Sequence, residues 1–544
     1  GGSGSDTANY NALGSVVTLG AFGVLNKGAF GTDTLIGIET IIGSSLLGDT
    51  VDHSGASVAP ATGTVTNLST GVVTVNGSAA PLPLTFNVSQ FENVIGSGFA
   101  DTITGNGANN ALSGGAGNDT IGGGAGNDTI NGEAGTDTAS YLDASAAVSV
   151  SLSSGSSRGG AGSDTLISIE NVIGSSFADT ITGNNDANNL SGDAGNDTLI
   201  ASAGNDTLNG DTGSDTVNYN ALGSVVTLGA FGVLRKGSLG TDTLVGIETI
   251  IGSSLLGDTV DHSGASVAPA SGTVTNLSTG VVTVNGTAAP LPLTFNVSQF
   301  ENVIGSGFAD TITGNAANNA LSGGTGNDMI SGGTGNDTIN GGAGTDTASY
   351  LDASAAVGVS LSSGSSSGGA GSDTLIAIEN VTGSNFADTI SGGVDANNLS
   401  GEDGNDTISA GSGNDTITGG AGKDLLSGEA GTDRFVYSAL TDSLLANFDL
   451  ITDYATGEVI DRPGTGVTLN SSSGTATSLA ASAVASILNS FSFTANSSAA
   501  FTVVGFSGTF IAFNDATAGF NASTDSILQL PAYNINTSNT VLIA

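Results

Sequence analysis

The chain has 544 residues, with 49 acidic against 7 basic side chains and a formal net charge of -42. This charge excludes nucleic acid as a natural partner and argues against direct binding to an anionic membrane. Cysteine is absent, so disulfides and cysteine-ligated zinc are excluded too. Acidic chains are often disordered, but 38% of the residues are apolar and the acids are regularly spaced, which favours a folded protein over a disordered linker.

The sequence opens on GGSGSDTAN at 1–9, a glycine and aspartate pattern that recurs with a nine-residue period. No charged-then-apolar leader precedes it, and no stretch approaches the roughly 18 apolar residues of a membrane helix. We therefore predict no membrane span. We also expect the chain to be a fragment or a processed product that starts within a repeat array.

The next segments, 10–51 and 64–103, alternate valine, threonine and leucine with small residues, as does 141–181. This alternation is typical of half-buried strands, and TNLSTGVVTVNG at 66–77 predicts a hairpin. Pro81 and Pro83 indicate a loop or an edge, where no ladder hydrogen bond is lost. We interpret the three segments as wider β coils, each running to an Ile-Glu or Phe-Glu pair and an IGS-type turn.

The repeat is clearest at 114–131, GGAGNDTIG followed by GGAGNDTIN, with the pattern GGxGxDxUx and U a large aliphatic residue. The glycines allow tight turns, and the aliphatic residue forms the core. Four contiguous blocks carry it, at 96–140, 174–218, 305–349 and 383–436. The predicted fold is all-β: parallel β-roll blocks interleaved with wider β coils and hairpins.

The sixth-position aspartate suits calcium, which takes six to eight hard oxygen ligands at about 2.3–2.6 Å. Two nonapeptides make one coil, so Asp101 and Asp119, or Asp119 and Asp137, recur on one side roughly 4.8 Å apart. Without a cation such stacked carboxylates would repel, which disfavours a metal-free glycine-rich β-helix. The predicted metal ligands are Asp6, Asp101, Asp119, Asp128, Asp137, Asp164, Asp179, Asp197, Asp206, Asp215, Asp310, Asp328, Asp337, Asp346, Asp373, Asp388, Asp406, Asp415, Asp424 and Asp433.

A longer period overlies the nonapeptide. Residues 1–209 align without a gap on 210–418 and differ at about 31 positions. We therefore divide the chain into a first repeat unit at 1–209, a second at 210–436 and a C-terminal domain at 437–544.

In the C-terminal domain the glycine pattern stops. TSLAASAVASILN at 477–489 predicts one short amphipathic helix, and FTVVGF, TFIAFN and SILQLPAY predict the strands of a small, mostly-β cap. Asp515 and Asp525 fit either a further calcium site or an ordinary solvated hairpin, and we favour the hairpin.

The nonapeptides from residue 1 to 436 resemble the repeats-in-toxin (RTX) family, which implies a calcium-loaded parallel β-roll and export by a type I secretion apparatus. Departures occur at Asn110, Asn188, Asn319 and Asn397, and at Ala201 and Ala410 in place of the first glycine; these coils are expected to bind calcium weakly or not at all. Residues 433–464 and 509–530 resemble the C-terminal domain of serralysin-type RTX proteins, which implies a cap carrying the secretion signal. VIDRPG departs from that pattern after Asp461.

No catalytic constellation is predicted. The HExxH zinc motif is absent, and His53 and His262, both in DHSG, are interpreted as solvated turn histidines rather than members of a triad. The Asn-Asp-Thr sequences match a glycosylation acceptor only because the repeat contains them.

These observations favour a non-enzymatic, extracellular, calcium-dependent structural protein, a subunit of a bacterial surface layer or fibre. The expected partners are other copies of the chain in a sheet or filament, the type I secretion apparatus and cell-surface polysaccharide. Two alternatives stay open: the stalk of an adhesin, and the export and folding module of a larger RTX enzyme or toxin.

Overall fold

The computed structural model describes residues 2–20, 23–56, 63–76, 84–229, 231–265, 272–285, 293–462, 469–490, 493–533 and 541–543. The loop or edge predicted at Pro81 and Pro83 lies outside these ranges. The chain forms two compact units, Gly1–Asp258 with Phe295–Phe300, and Thr259–Thr294 with Glu301–Ala544. The described residues are nearly all β, as predicted.

The strands of the blocks form at the last three residues of each nonapeptide, most often a threonine, an aliphatic residue and a polar or small residue. Side chains alternate between the two faces of a strand, so the central aliphatic residue points inward. Ile121 and Ile130 are 0% exposed, whereas the threonines before them are partly or fully exposed. One buried aliphatic residue per strand forms the core of each block.

Consecutive coils stack in parallel with the predicted spacing of 18 residues. Ile103 pairs with Ile121, which pairs with Ala139, in one sheet. Leu112 pairs with Ile130 in a second sheet. Two nonapeptides therefore supply one strand to each of two sheets, which confirms the parallel β-roll.

In the first unit the stacked strands alternate with the strands of the inserts. The stacked strands are Thr7–Asn9, Thr40–Ile42, Thr50–Asp52, Asn93–Ile95, Thr102–Asn106, Ala111–Ala116, Thr120–Gly124, Thr129–Ala134, Thr138–Ser140, Asn171–Ile173, Thr180–Thr182, Asn189–Ser191, Thr198–Ile200, Thr207–Asn209, Thr216–Asn218 and Thr249–Ile251. The insert strands are Thr18–Gly20, Val24–Asn26, Thr32–Thr34, Thr64–Asn67, Val72–Val75, Leu84–Ser89, Val148–Ser151, Ser156–Gly159, Thr165–Ile167, Thr227–Gly229, Val233–Arg235, Thr241–Val245 and Leu293–Ser298, the last from residue 295.

The second unit has stacked strands and insert strands of the same two kinds. Its stacked strands are Thr259–Asp261, Asn302–Ile304, Thr311–Thr313, Ala320–Thr325, Met329–Ser331, Thr338–Ala343, Thr347–Ser349, Asn380–Thr382, Thr389–Ser391, Asn398–Ser400, Thr407–Ser409, Thr416–Thr418, Leu425–Ser427, Arg434–Val436, Asp449–Ile451 and Val459–Asp461. Its insert strands are Thr273–Asn276, Val281–Val284, Val357–Ser360, Ser365–Gly368 and Thr374–Ile376, and the turns add Asp403–Gly404 and Ala421–Gly422.

Each insert widens the stack with an antiparallel hairpin. In the insert after residue 141, Val148–Ser151 pairs with Ser156–Gly159, which turns back onto Thr165–Ile167. The outer two strands stay parallel to the stack: the first pairs with Thr180–Thr182 and the third with Thr129–Asn131. The hairpin predicted at 66–77 is present as Thr64–Asn67 and Val72–Val75.

The C-terminal region has a different core. Its strands are Leu469–Ala476, Ser498–Val503, Thr509–Phe513, Ser526–Leu530 and Leu542–Ile543, and its α-helix is Ala481–Ser490, as predicted. Phe448, Phe501 and Phe510 pack together with Val484 and Leu488 of the helix. Short 3₁₀ helices occur at Gly28–Phe30, Gly237–Leu239 and Leu440–Ser443.

Candidate calcium sites

The glycines of the repeat stand where neighbouring atoms leave no room for a side chain. A Cβ on Gly114, a first-position glycine, would lie 2.1 Å from Oδ2 of Asp119 in the same nonapeptide. A Cβ on Gly117, the fourth-position glycine with φ +121°, would lie 2.5 Å from the backbone carbon of Phe99 in the preceding coil. The first glycine therefore makes room for the aspartate, and the fourth lets neighbouring coils stack.

The sixth-position aspartates form ladders along the stack. Oδ1 of Asp119 accepts a hydrogen bond from the backbone amide of Asp101 at 2.7 Å. The amide of Asp119 in turn donates to Oδ1 of Asp137 at 2.8 Å. On the other side, the amide of Asn110 donates to Asp128 at 2.7 Å. The structure thus brings together the residues predicted to pair 18 positions apart, through one carboxylate oxygen of each.

The second carboxylate oxygen is left without a partner at most of these positions. In twelve of the twenty predicted ligands, Oδ2 is buried and makes no hydrogen bond. A buried acceptor without a partner is costly, so these oxygens call for a ligand of their own. Calcium takes anionic oxygens of this kind as ligands. The twelve are Asp119, Asp128, Asp137, Asp197, Asp215, Asp328, Asp337, Asp346, Asp406, Asp415, Asp424 and Asp433.

Burial makes these carboxylates reluctant to ionise. It raises the pKa of Asp119 to about 6 and that of Asp128 to about 7, and neighbouring acids of the ladder raise both further. The same cause raises the pKa of Asp406 to about 7. A divalent cation would reverse this effect by favouring the charged form.

At some of these positions a backbone carbonyl oxygen lies beside the free carboxylate oxygen. Beside Gly132, the point that a Cβ would occupy lies 2.4 Å from Oδ2 of Asp137 and 2.2 Å from the carbonyl oxygen of Ser168. Beside Gly401 the corresponding distances are 2.3 Å to Asp406 and 2.5 Å to the carbonyl of Gly419. Among the described residues no group of three acidic, histidine or cysteine side chains is placed to hold a metal ion. Hard oxygens of these two kinds fit calcium, which when bound supplies the missing positive charge.

The other eight predicted ligands have no such free oxygen, because their carboxylates contact other protein groups. Ser97 donates its amide at 2.6 Å and its hydroxyl at 3.0 Å to Oδ2 of Asp101, the first aspartate of its block. Ser175, Ser306 and Ser384 contact the first aspartate of the other blocks in the same way; these aspartates are Asp179, Asp310 and Asp388.

Among the other four, Ser157 and Ser366 donate to Asp164 and Asp373 at 2.7 Å. Asp6 is half-buried, and its amide donates to Glu39. Asp206 pairs with Lys236 at 3.0 Å.

The asparagines that break the pattern contact the preceding coil themselves. The side-chain amide of Asn188 donates to the carbonyl of Glu170 at 2.8 Å, and that of Asn319 to the carbonyl of Glu301 at 2.7 Å. Asn110 and Asn397 make the same contact with Glu92 and Glu379. These asparagines therefore present an N–H donor where the aspartates of the repeat present a second anionic oxygen. The alanines at the first position, Ala201 and Ala410, are both buried.

A set of glutamates belongs to the ladders and was not predicted. Glu170 accepts the amide of Asp137 at 2.8 Å, and Glu248 accepts that of Asp215 at 2.7 Å. Glu39, Glu92 and Glu379 do the same for Asp6, Asp49 and Asp346. The signal was available, since each glutamate stands two residues before a buried aliphatic residue, as the sixth-position aspartate does.

Asp449 also extends a ladder. It is 0% exposed, its Oδ1 accepts the amide of Asp424 at 2.8 Å, and its Oδ2 makes no hydrogen bond. Burial raises its pKa to about 9. Sequence analysis missed Asp449 because it lies outside the nonapeptide pattern.

The histidines correct a prediction. His53 and His262 are 0% exposed, and each Nε2 lies 2.9 Å from a buried threonine hydroxyl, of Thr66 and Thr275. Burial lowers both pKa values to about 4. They are neutral core residues, not solvated turn histidines, because the insert hairpin folds over them.

Asp515 and Asp525 behave as a capped turn. Asp515 is partly exposed and Asp525 is 0% exposed, so the solvated hairpin describes only part of this turn. Asp525 accepts the backbone amides of Asp515 at 2.9 Å and Asn521 at 2.6 Å. In VIDRPG, the guanidinium of Arg462 lies 5.1 Å from the ring centre of Phe513, and Asp461 pairs with Arg434.

Comparison with known proteins agrees with this geometry. The model of the RTX calcium-binding nonapeptide repeat matches residues 90–121, 104–139, 169–199, 182–217, 300–330, 313–348, 382–417, 400–435 and 409–444. These segments are therefore calcium-binding repeats of the RTX type, and proteins with such repeats are generally secreted. Within the described residues, no helix has the length and apolar character needed to cross a membrane.

No curated protein matches the chain. Among solved structures, the crystal structure of extracellular lipase LipA from Serratia marcescens is similar at 15% identity, with a TM-score of 0.15. The match covers 43% of this chain and spans 32% of that chain.

Proposed function

We propose that the chain is a calcium-dependent extracellular structural subunit that assembles with copies of itself into a bacterial surface layer or fibre. The observation that carries this proposal is duplication: the same calcium-type ladder recurs in both copies of a 209-residue sequence. Asp119 and Asp328 occupy equivalent positions, and both keep a buried oxygen without a partner. Repeated surfaces at a fixed spacing suit assembly from identical parts.

Exposed apolar residues recur at the same place in both copies. Leu47 is 82% exposed and Leu256 is 81% exposed, each in the turn SSLLGD. Large apolar side chains this exposed at repeated positions favour contacts with another molecule. We assign these leucines to contacts between subunits.

A shallow groove is also repeated. In the first unit it is lined by Asn67, Thr104, Ser140, Leu142 and Asp143. In the second unit it is lined by the residues that align with these, among them Asn276, Leu351 and Asp352. Hydroxyl and amide groups beside one apolar wall suit a sugar chain, which supports cell-surface polysaccharide as a second partner.

In this role the chain is not an enzyme, and a type I apparatus exports it before calcium folds it outside the cell. The buried carboxylates support this order, because the ladders need a cation that is abundant only after export. A catalytic domain or a ligand-binding domain joined to this sequence would instead favour the export-module or adhesin-stalk alternative.

Electron microscopy of the purified chain tests the proposal. With calcium in excess, we expect ordered sheets or filaments that EDTA disperses and added calcium restores. Isolated particles under all conditions would contradict assembly and favour the stalk or the export module.

The double variant Leu47→Ser with Leu256→Ser sharpens this test. It should bind calcium normally but form shorter or no assemblies. The matched control is Val394→Ser, because Val394 is 78% exposed but aligns with Asn185 in the first copy. Equal effects of the two changes would rule out the leucine contact.

A further inference from the structure

Lys236 is a fully buried cation inside a ladder of calcium-type carboxylates. Lys236 is 0% exposed, and its partners Asp206 and Asp242 are also buried. A buried ammonium is costly unless anionic or polar oxygens surround it. The fold therefore places Lys236 here at a definite cost in desolvation.

The ammonium is held by three oxygen groups. Nζ donates to Oδ2 of Asp206 at 3.0 Å and to the carbonyl of Ser202 at 2.7 Å. It also forms an ion pair with Oδ1 of Asp242. Two carboxylates and a backbone carbonyl are the kinds of ligand that calcium takes in the other coils.

The place where an insert hairpin returns an aspartate to the ladder, 36 residues after its partner, is here called a joint. Two further joints are equivalent to that of Asp206, and among the described residues neither contains such a cation. The amide of Asp206 donates to Asp242 at 3.0 Å, as the amide of Asp128 does to Asp164. Asp337 and Asp373 form the third joint in the same way.

The difference lies in the free oxygen. Oδ2 of Asp128 and Oδ2 of Asp337 are buried without a hydrogen bond, whereas Oδ2 of Asp206 accepts Lys236. The hairpin that meets Asp128 contributes the neutral Ser157, which among the described residues donates to Asp164 alone. The hairpin that meets Asp206 contributes Lys236, directly after the strand Val233–Arg235.

We propose that the ammonium of Lys236 replaces a calcium ion at the Asp206–Asp242 joint. This joint closes without metal, whereas the Asp128–Asp164 and Asp337–Asp373 joints take calcium. The proposal rests on calcium binding by the coils and not on assembly, so it and the proposed function can fail separately.

Calcium stoichiometry of the whole chain tests the replacement, by equilibrium dialysis with metal analysis. Lys236→Met should bind one more calcium ion per chain than the wild type, because it frees Oδ2 of Asp206 and the carbonyl of Ser202 and removes the cation beside Asp242. Adding Asp206→Asn to this variant should return the number to that of the wild type. An unchanged number in Lys236→Met, with a wild-type circular dichroism spectrum in calcium, would overturn the proposal.

Lys27→Met is the matched control. Lys27 aligns with Lys236 in the first copy, but among the described residues its ammonium pairs with Asp33 alone and is part-exposed. Its removal leaves one carboxylate rather than two. The number of bound calcium ions should therefore stay the same.

A measurement on the wild type covers the case in which Lys236→Met does not fold. Reductive methylation in saturating calcium, followed by peptide mass spectrometry, should modify the exposed Lys423 and leave Lys236 unmodified. Methylation of Lys236 at the rate of Lys423 would mean that calcium displaces the ammonium, and would overturn the proposal.

Discussion

The nonapeptide blocks and the C-terminal region bury different groups. A coil of a block buries two aliphatic residues, such as Ile121 and Ile130, together with carboxylates whose second oxygen has no partner. The C-terminal region buries an aromatic cluster, with the Phe501 and Phe510 ring centres 5.4 Å apart. Its buried Asp525 accepts two backbone amides and leaves no oxygen free.

This difference separates two sources of stability. Apolar burial stabilises the C-terminal region. The blocks bury anionic oxygens that have no partner, so we expect their stability to depend on calcium. We therefore expect one chain to join a fold that depends on metal to a fold held by an aromatic core.

The largest effect of a single substitution is expected in the C-terminal core. Phe510→Ala removes a 0% exposed ring and should lower the free energy of unfolding of this region by about 3–5 kcal/mol. Denaturant unfolding followed by fluorescence of a tryptophan introduced at the partly buried Phe520 would report it. The loss should be equal with calcium and with EDTA, and a loss seen only in calcium would break the comparison.

A change in a block should have opposite signs in the two conditions. Asp119→Asn removes the anionic oxygen, so the block should bind calcium more weakly and lose about 1–3 kcal/mol of stability in calcium. In EDTA the same change should stabilise the chain, because it removes a buried charge. Thermal melts with and without calcium would measure both. Asp186→Asn, at an exposed acid, is the matched control, and the account is wrong if both variants behave alike.

The pH dependence of the calcium-free blocks follows from the raised pKa values. Asp119 and Asp128 have folded pKa values of about 6 and 7, above the unfolded value of 3.8. Their contribution to stability is fully present below the unfolded value and is lost as pH rises through the folded values. In EDTA the blocks should therefore melt at a higher temperature at pH 5 than at pH 7.5. In calcium the order should reverse, because protons compete with the ion.

The smallest effect is expected in an insert. Thr66→Val removes the hydroxyl beside Nε2 of His53 and should cost about 1 kcal/mol, with or without calcium. Thr275→Val tests the equivalent contact of His262. Melts of the two variants should agree. A cost that appears only in calcium would place these histidines within the metal-dependent part of the chain.

The regular part of the molecule could be predicted from the sequence, and the joints could not. The spacing of 18 residues gave the pairing of Ile103 with Ile121, and the alternation at 66–77 gave a hairpin. Both features follow from a regular pattern within a short stretch of sequence. Ser97 donates to Asp101, and Lys236 pairs with Asp206. These contacts depend on where turns and insert hairpins pack against the ladder, which the local periodicity of the sequence does not specify.

The histidines show the same limit. DHSG has the composition of an exposed turn, yet His53 is buried because a strand 13 residues later supplies Thr66. Glu170 could have been predicted from the sequence, because its spacing from the buried Val172 equals that of Asp137 from Ala139. The nonapeptide pattern has aspartate at this position, so the pattern alone does not predict a glutamate.

Hydrogen exchange with and without calcium tests the central claim most directly, because it reports both regions in one chain. In calcium, amides of the strands Thr120–Gly124 and Thr509–Phe513 should both be protected. In EDTA at neutral pH, the first should exchange rapidly while the second stays protected. Equal protection of the two strands in EDTA would contradict the claim that calcium holds the blocks together.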